Sequence, residues 1–532
     1  MSHVLLIGFM GAGKSRVGAA LARDLGVNFI DLDRLIESRE GASVPELFAR
    51  GGEQAFRDAE HAALVSLRDE PPAVVACGGG IVLRDANRAV LKDLGRVVYL
   101  SVSAEEALAR IGDTSGRPLL AGDAARRAPG ILETRLPLYR SAADFIIDTN
   151  GLSADAVVGE VLSLLNASGV IDIVRVQSGG GYDVAIGAGA LEQIGSIVAG
   201  STGAQRVVIV SDTNVAPIYA PRLVESLRSA GVESELAIID AGEASKSWET
   251  AGALVSEFAA RTLGRDGAVV ALGGGVVGDV AGFAAAVYVR GVPVVQVPTT
   301  LLAQVDSSIG GKTGVDLPSG KNLAGAFWQP SAVVSDTSVL TTLPQTEWAS
   351  GLAEVAKTAL LAGEAETAEL EAHAQRLRSR DHRAVLRAVR MAAGYKAAVV
   401  SGDERESGDR ECLNLGHTLG HALERIVGYG VLPHGVAVAI GMRFAARLAE
   451  RSVGASHELT DRTDALLAAL GLPAVMPAGL GADDVVASML SDKKVRAGVV
   501  RFVLVRTPGD WTVVPVEAGV LRGQLERFLD GE

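Results

Sequence analysis

The sequence predicts an α/β protein built in successive parts, and three observations lead to that expectation. Short apolar runs of buried-strand type alternate with amphipathic stretches, and the first run leads straight into Gly-x4-Gly-Lys-Ser. A small, breaker-like join, Asn166-Ala167-Ser168-Gly169, separates two such series. From about Thr346 onward the pattern turns mainly helical. The expected layout is a domain over 1–168 with a parallel sheet covered by helices on both faces, an α/β part over 169–345, and a mainly helical part over 346–532. A chain of 532 residues is too long for one core and allows roughly three or four compact units.

Composition limits function before any motif does. Hydrophobic residues at 48% and charged residues at 21% fit a globular protein. A net charge of -13 argues against sequence-blind nucleic-acid binding, which needs a basic surface, while local lysines and arginines can still hold small anions. Two cysteines, Cys77 and Cys412, make no disulfide framework, so a cytoplasmic setting is expected. The apolar start Val4 to Met10 has no basic leader, and no window offers about 18 uninterrupted apolar residues. Neither a signal peptide nor a membrane span is expected.

Val4 to Ile7 reads as a buried strand, and Gly8-Phe9-Met10-Gly11-Ala12-Gly13-Lys14-Ser15 joins it to a helix that should stop at Gly26. Gly11 and Gly13 let backbone N–H groups turn around phosphates, Lys14 reaches the outer phosphates, and Ser15 can ligate Mg2+. Phe29-Ile30-Asp31-Leu32-Asp33 places two carboxylates two apart at an expected strand end, pointing the same way. Ser43-x-x-Glu46 is a capping box opening a helix that leads to Arg57. The strand pattern Val74 to Cys77 ends in Gly78-Gly79-Gly80, where a ligand can approach bare backbone. Arg110 follows on a helix begun by Ser103-x-x-Glu106, then Gly116-Arg117-Pro118 in a loop and Arg135-Leu136-Pro137-Leu138-Tyr139.

Taken together, these pieces resemble shikimate kinase over nearly all of residues 1–165. The resemblance implies ATP and Mg2+ as cofactors. It implies that Asp33, Arg57, Gly79, Gly80 and Arg135 hold shikimate, and that Asp31 helps position the reacting hydroxyl and the metal. Arg117 would be the lid arginine over the phosphates, and Arg110 would lie against adenine. Arginines suit a substrate carboxylate, and phosphoryl transfer asks mainly for positioning and charge neutralisation.

Beyond the join, Ile171 to Val176 and Tyr182 to Ile186 predict a hairpin around Gly179-Gly180-Gly181. Strand patterns at 206–211, 236–240, 268–272 and 292–297 alternate with helices, the rhythm of a parallel sheet. Gly273-Gly274-Gly275-Val276-Val277-Gly278-Asp279 follows one of these strands and opens a helix, a place suited to a pyrophosphate. Further on, three of the eight histidines fall in Leu413-Asn414-Leu415-Gly416-His417-Thr418-Leu419-Gly420-His421 and His434-Gly435. By spacing alone, His417 and His421 would share one ion on a helix face.

From about residue 175 to the end the chain is identified as a member of the 3-dehydroquinate synthase family, on these motifs together with Asp306 to Thr313, Gly320 to Leu323 and Ala353 to Lys357. The resemblance implies conversion of 3-deoxy-D-arabino-heptulosonate 7-phosphate to 3-dehydroquinate and phosphate, with NAD+ consumed and regenerated in one cycle. It implies that Asp212, Glu243, Lys246, Gly274, Gly275, Asp279, Thr299, Thr300 and Lys321 contact NAD. Glu354, His417 and His434 would bind Zn2+ or Co2+, which separates His417 from His421. Arg290, Asp306, Lys312, Asn322, Lys357, Lys396, Arg410, Asn414 and His421 would surround substrate, with Lys493 or Lys494 closing the pocket. Lys312, Lys357, Lys396, Arg410 and His421 are the expected catalytic groups of this half. A homodimer through the synthase half is also implied. The rival expectations are another sugar-phosphate cyclase, a metal-dependent polyol dehydrogenase, or a non-catalytic nucleotide sensor. The basic pocket of Lys396, Arg410 and His421 discriminates, because substrates without a carboxylate do not need it.

Overall fold

The computed structural model describes residues 3–111, 124–167, 170–428, 431–473, 476–477, 479–491 and 499–531. The chain divides into two compact units, Met1–Ser168 with Ser379–Arg383, and Gly169–Arg378 with Ala384–Glu532. Among the described residues no helix is long and apolar enough to cross a membrane.

In the first unit the elements run β1 His3–Ile7, α1 Lys14–Leu25, β2 Asn28–Asp31, α2 Leu32–Glu40, α3 Val44–Ser66, β3 Ala73–Ala76, α4 Asp85–Leu94, β4 Gly95–Ser101, α5 Ala104–Ile111, α6 Ala124–Ala142, β5 Phe145–Asp148 and α7 Ala154–Ala167. Five parallel strands lie in the order β2-β3-β1-β4-β5. β1 and β3 are buried at every position, as strands covered on both faces must be. Because β1 is flanked by β3 on one side and β4 on the other, the sheet reverses its order there, and the crevice beyond its carboxyl end is where such sheets bind ligands. The glycine-rich loop occupies that place.

The second unit begins with β6 Asp172–Val176, β7 Tyr182–Gly187, α8 Ile194–Thr202, β8 Arg206–Asp212, α9 Ala216–Ser229, β9 Glu233–Ile239, α10 Trp248–Ala260, β10 Ala268–Gly273, α11 Gly275–Val287, β11 Val294–Pro298, β12 Lys312–Leu317, β13 Gly320–Phe327 and β14 Ala332–Asp336. Seven strands form one sheet in the order β6-β7-β14-β11-β10-β8-β9, parallel except for the β6–β7 hairpin that the sequence predicts. Here the order reverses between β8 and β10, so Asp212 and Gly273-Gly274-Gly275 stand at the same kind of crevice.

The remainder is α12 Gln345–Ala362, α13 Glu364–Arg378, α14 His382–Gly402, α15 His417–Val427, α16 His434–Ser452, α17 His457–Ala469, α18 Ala482–Leu490, β15 Val500–Thr507, β16 Asp510–Val516 and α19 Ala518–Leu529. Helical character from α12 onward follows expectation except for the antiparallel hairpin β15–β16, and a second hairpin, β12–β13 in the preceding α/β part, is also unexpected. Trp348, with no exposed surface, and Phe444 anchor a core of leucine, valine and alanine that holds α12, α15 and α16 together.

Candidate active sites

The loop between β1 and α1 is shaped by its glycines. Gly11 and Gly13 take φ 79° and 88°, a left-handed region that other residues avoid, and a Cβ on Gly11 would lie 2.5 Å from Ala107 O. Gly13 is the N-cap of α1 and has no side chain to cap it, leaving the helix N-terminus with its backbone donors for an anion. Lys14 Nζ donates to Gly8 O at 2.8 Å and Phe9 O at 3.0 Å, which folds the ammonium over the loop. Ser15 Oγ donates to Asp31 Oδ2 at 2.7 Å, so the hydroxyl and carboxylate expected at Mg2+ already adjoin.

Asp31 and Asp33 correct one expectation. They are not same-face neighbours at a strand end, because β2 stops at Asp31, which caps α2 by accepting from Arg34 N at 3.4 Å, and Asp33 belongs to the first helical turn. Both still face the site. A Cβ on Gly78 would meet Asp33 Oδ1 at 2.8 Å and Glu60 Oε1 at 3.0 Å, and one on Gly80 would strike Arg57 Nη2 at 2.2 Å. Arg135 Nη1 and Tyr139 Oη donate to Gly79 O at 3.1 and 2.5 Å. The structure therefore brings Asp33, Arg57, Gly79, Gly80 and Arg135 together. Arg57 is held by Glu60 at 2.9 Å and Glu53 at 3.0 Å. Burial pushes the fully enclosed Glu60 carboxyl up, with Arg57 opposing. Sequence reasoning missed Glu60, although its place three residues after Arg57 on α3 was a usable signal. Arg110 is tied to Thr149 Oγ1 at 3.0 Å and Thr149 O at 2.5 Å, whereas Arg117 lies outside the described residues.

In the second unit, Asp212 Oδ1 accepts from Asn214 N and Val215 N at 2.8 and 2.9 Å and closes the turn after β8. Lys246 pairs with Asp279 at 2.5 Å and Lys321 with Glu243 at 3.1 Å. Cβ atoms on Gly274 and Gly275 would lie 3.0 Å from Thr300 Cγ2 and 3.2 Å from Ser307 Oγ, and Thr299 N donates to Gly273 O at 2.9 Å. These residues line the crevice at the start of α11. Arg290 and Asn322 have φ 69° and 53°, a conformation that costs about 1–3 kcal/mol in a non-glycine residue and concentrates at functional sites. Among the described residues neither Arg290 nor Asn322 has a hydrogen bond or ion pair with the metal cluster described next; Asn322 N donates to Asp316 Oδ1 at 2.7 Å instead.

Glu354 on α12, His417 at the start of α15 and His434 at the start of α16 converge. Glu354 Oε1 is buried, accepts no hydrogen bond, and faces His417 Nε2 at 3.4 Å and His434 Nε2 at 3.5 Å. His417 Nδ1 is 3.1 Å from Leu415 O and His434 Nδ1 is 3.0 Å from Glu424 Oε2. Since those partners can only accept, both Nδ1 atoms carry a proton, and the Nε2 atoms are the ones turned toward the carboxylate. A buried carboxylate faced by two ring nitrogens is a place that favours positive charge, whether a proton or a metal ion. Burial opposes a charge on His434, yet Glu354 and Glu424 raise it to about 10, so the pocket's field draws positive charge. The donor set fits a divalent ion.

His421 is not part of this trio, although its ring lies 5.3 Å from that of His417 and 6.0 Å from that of His434. A second grouping of His421, Glu424 and His434 is also close enough to hold an ion. Around the trio, Lys357 contacts Glu354 and lies 3.7 Å from Asp306, which also pairs with Lys396. Asp306 sits in a π-helical turn, Ala303–Ser307. Burial pushes its carboxyl up, but Lys396 and Lys357 outweigh this and hold it at about 2. Lys312 pairs with Glu406, Asn414 Nδ2 reaches Glu406 Oε1 at 3.4 Å, and buried Arg410 donates to Gly310 O at 3.1 Å. Burial and the nearby Arg410 and Lys396 lower the Lys312 ammonium, with Glu406 opposing. Glu406 and Glu424 are the groups that sequence reasoning left without a role; Glu424 follows His417 by two turns on one helix face. Lys493 and Lys494 lie outside the described residues.

Comparison with known proteins decides the family. Residues 236–350 and 351–495 match the N-terminal and C-terminal profiles of 3-dehydroquinate synthase. The 3-dehydroquinate synthase of Methylococcus capsulatus is 47% identical over 349 residues, which are 65% of this chain and 96% of that protein. The chain belongs to the 3-dehydroquinate synthase family. Residues 10–166 match the shikimate kinase profile, so a shikimate kinase domain precedes the synthase unit in a single chain, and both are enzymes of the shikimate pathway. The synthase of Desulforamulus reducens is similar too, at 46% identity over 62% of this chain and 91% of that protein. Among solved structures, 2-epi-5-epi-valiolone synthase from Streptomyces hygroscopicus with NAD+ and Zn2+ bound has a TM-score of 0.59 at 30% identity, over 66% of this chain and 97% of that one. A 2-deoxy-scyllo-inosose synthase complexed with carbaglucose-6-phosphate, NAD+ and Co2+ reaches 0.62 at 25%, over 67% and 100%.

Proposed function

We propose that the synthase unit converts 3-deoxy-D-arabino-heptulosonate 7-phosphate to 3-dehydroquinate and phosphate with NAD+ and Zn2+ or Co2+, and that the kinase domain phosphorylates shikimate with ATP and Mg2+. The kinase domain spans 1–168, the NAD-binding α/β part 169–345 and the helical metal and substrate part 346–532. The protein works as a cytoplasmic enzyme, a homodimer through the synthase half. Supporting the synthase reading is one arrangement above all: a buried carboxylate faced by two imidazole Nε2 atoms, set beside Lys312, Lys357, Lys396 and Arg410. Such a basic wall suits a substrate with both a carboxylate and a phosphate.

When bound, NAD+ accepts and returns a hydride, and the divalent ion polarises the substrate oxygens. The chain's own residues do the rest. Glu354, His417 and His434 hold the metal, and Asp212, Glu243, Lys246, Gly274, Gly275, Asp279, Thr299, Thr300 and Lys321 hold NAD+. Lys312, Lys396, Arg410, Asn414, Asn322 and Arg290 take the charged and hydroxylic ends of the substrate, while Asp306 fixes Lys357 and Lys396. His421, close to the metal trio and outside it, moves the proton. In the kinase, Lys14, Arg110 and Arg117 bind ATP at the loop of Gly11 and Gly13, Ser15 and Asp31 serve Mg2+, and Asp33, Arg57, Gly79, Gly80 and Arg135 orient shikimate.

The test is a paired assay on chelator-treated protein. Phosphate release from the heptulosonate phosphate should vanish and return with Zn2+ or Co2+, while ATP-dependent shikimate phosphorylation should need only Mg2+. Synthase turnover that survives complete metal removal would overturn the metal reading.

A further inference from the structure

Resting on the metal reading above, the geometry points to Glu424 as the positioning residue of the synthase metal centre: it locks His434 with Nε2 toward Glu354 and ties that ligand to Lys321 of the NAD-side hairpin. Glu424 lies on α15, where it is 4% exposed, and its two oxygens have separate tasks. Oε2 sits 3.0 Å from His434 Nδ1, and Oε1 lies 3.8 Å from Lys321 Nζ on β13. Lys321 Nζ is in turn 3.1 Å from Glu243 Oε1.

A neutral imidazole has one lone pair. If His434 Nε2 serves a cation at Glu354, its Nδ1 must carry the proton and needs a buried acceptor, which Glu424 supplies. The alternative grouping of His421, Glu424 and His434 would make Glu424 itself a ligand. The two uses of Glu424 exclude each other, because its Oε2 cannot accept the Nδ1 proton and share a cation with the Nδ1 lone pair. His417 is oriented in the same way by a backbone carbonyl, Leu415 O, at 3.1 Å. His434 begins α16 directly after Pro433, and there the partner of Nδ1 is a side chain, Glu424, in place of a carbonyl. Carboxylates that orient a ligating histidine are worth roughly 10–100-fold in metal affinity.

The test uses the full chain loaded with Co2+, whose visible absorption reports the ligand field. Glu424→Gln keeps the shape and one acceptor oxygen; Glu424→Ala removes both oxygens. The inference expects the Gln variant to keep a wild-type-like spectrum with Co2+ affinity down about tenfold by chelator competition, and the Ala variant to show an altered spectrum with a loss near 100-fold. Glu354→Ala serves as the control, and it should bind no Co2+ at this site. Wild-type spectrum and affinity in both Glu424 variants would overturn the inference while leaving the metal reading intact. Complete loss of Co2+ in Glu424→Gln would also overturn it, since that makes Glu424 a ligand. Stoichiometric Co2+ in Glu354→Ala would instead overturn the metal reading itself.

Discussion

The kinase loop and the synthase metal pocket handle charge in opposite ways. In the first, consecutive residues from Gly8 to Ser15 turn backbone groups toward a ligand, and Lys14 rests on two carbonyl oxygens. In the second, Asp306, Glu354, Lys357, Lys396, His417 and His434 come from several separate elements and lean on one another in a buried cluster. A backbone cradle is shaped by local turns and a helix start, so it does not hang on a balance of buried charge. A buried side-chain cluster is only as stable as its balance of charge. The synthase site should therefore be coupled to folding, and the kinase site should not.

The largest expected effect follows directly. Lys357→Met leaves Glu354, 1% exposed, and Asp306 short of a cation; breaking a buried pair in this way costs about 3–5 kcal/mol. Urea denaturation of metal-free protein should show that loss in the synthase transition. Lys14→Met should abolish ATP use with a change under about 1 kcal/mol, and similar losses in the two variants would break the contrast.

Next in size is Arg57→Ala. Losing hydrogen bonds between charged groups is worth about 1.5–3 kcal/mol, roughly 10- to 150-fold in affinity. That loss should appear in shikimate binding, with ATP binding changed less than about twofold. Equal weakening of both ligands in calorimetry would contradict the placement of Arg57 at the substrate side of the loop.

The smallest effect concerns the turn leading to Arg410. Asp403 accepts from Ser407 N at 2.9 Å, Gly408 N at 2.7 Å and Arg410 N at 3.2 Å, and the Ser407 bond leads in holding its carboxyl down at about 2. The folded value lies below the unfolded one of about 3.9, so this support is complete above about pH 4 and fades as pH falls toward 2. In Asp403→Asn the acid limb of denaturation should be flatter over that window. An unchanged limb would remove Asp403 from the account.

How much of this was legible in the sequence differs between the sites for a physical reason. The phosphate loop is contiguous, so its glycines, lysine and serine could be read with their tasks from Gly11 to Ser15 alone. The metal trio could not: spacing paired His417 with His421, and Glu354 joined His417 and His434 only through family resemblance, because tertiary folding brings three helices together. Asp31 and Asp33 misled because the strand ends at the residue that caps the next helix. The β12–β13 hairpin escaped because Gly314, Gly320 and Gly325 blank out the alternation that marks a strand. The apolar run Phe502–Val505, set among helices, has no period that separates strand from buried helix. Glu424 and Glu60 were missed because a carboxylate on an amphipathic helix usually faces solvent, and only the folded chain turns these two inward.

The central claim is the division of labour among three neighbouring histidines, and metal stoichiometry tests it most directly. Metal content should be measured on purified full-length His417→Ala and His421→Ala, alongside synthase turnover. The account predicts that His417→Ala loses its metal and that His421→Ala retains a full equivalent while losing turnover. Loss of metal in His421→Ala with retention in His417→Ala would contradict it and move the ion to His421, Glu424 and His434.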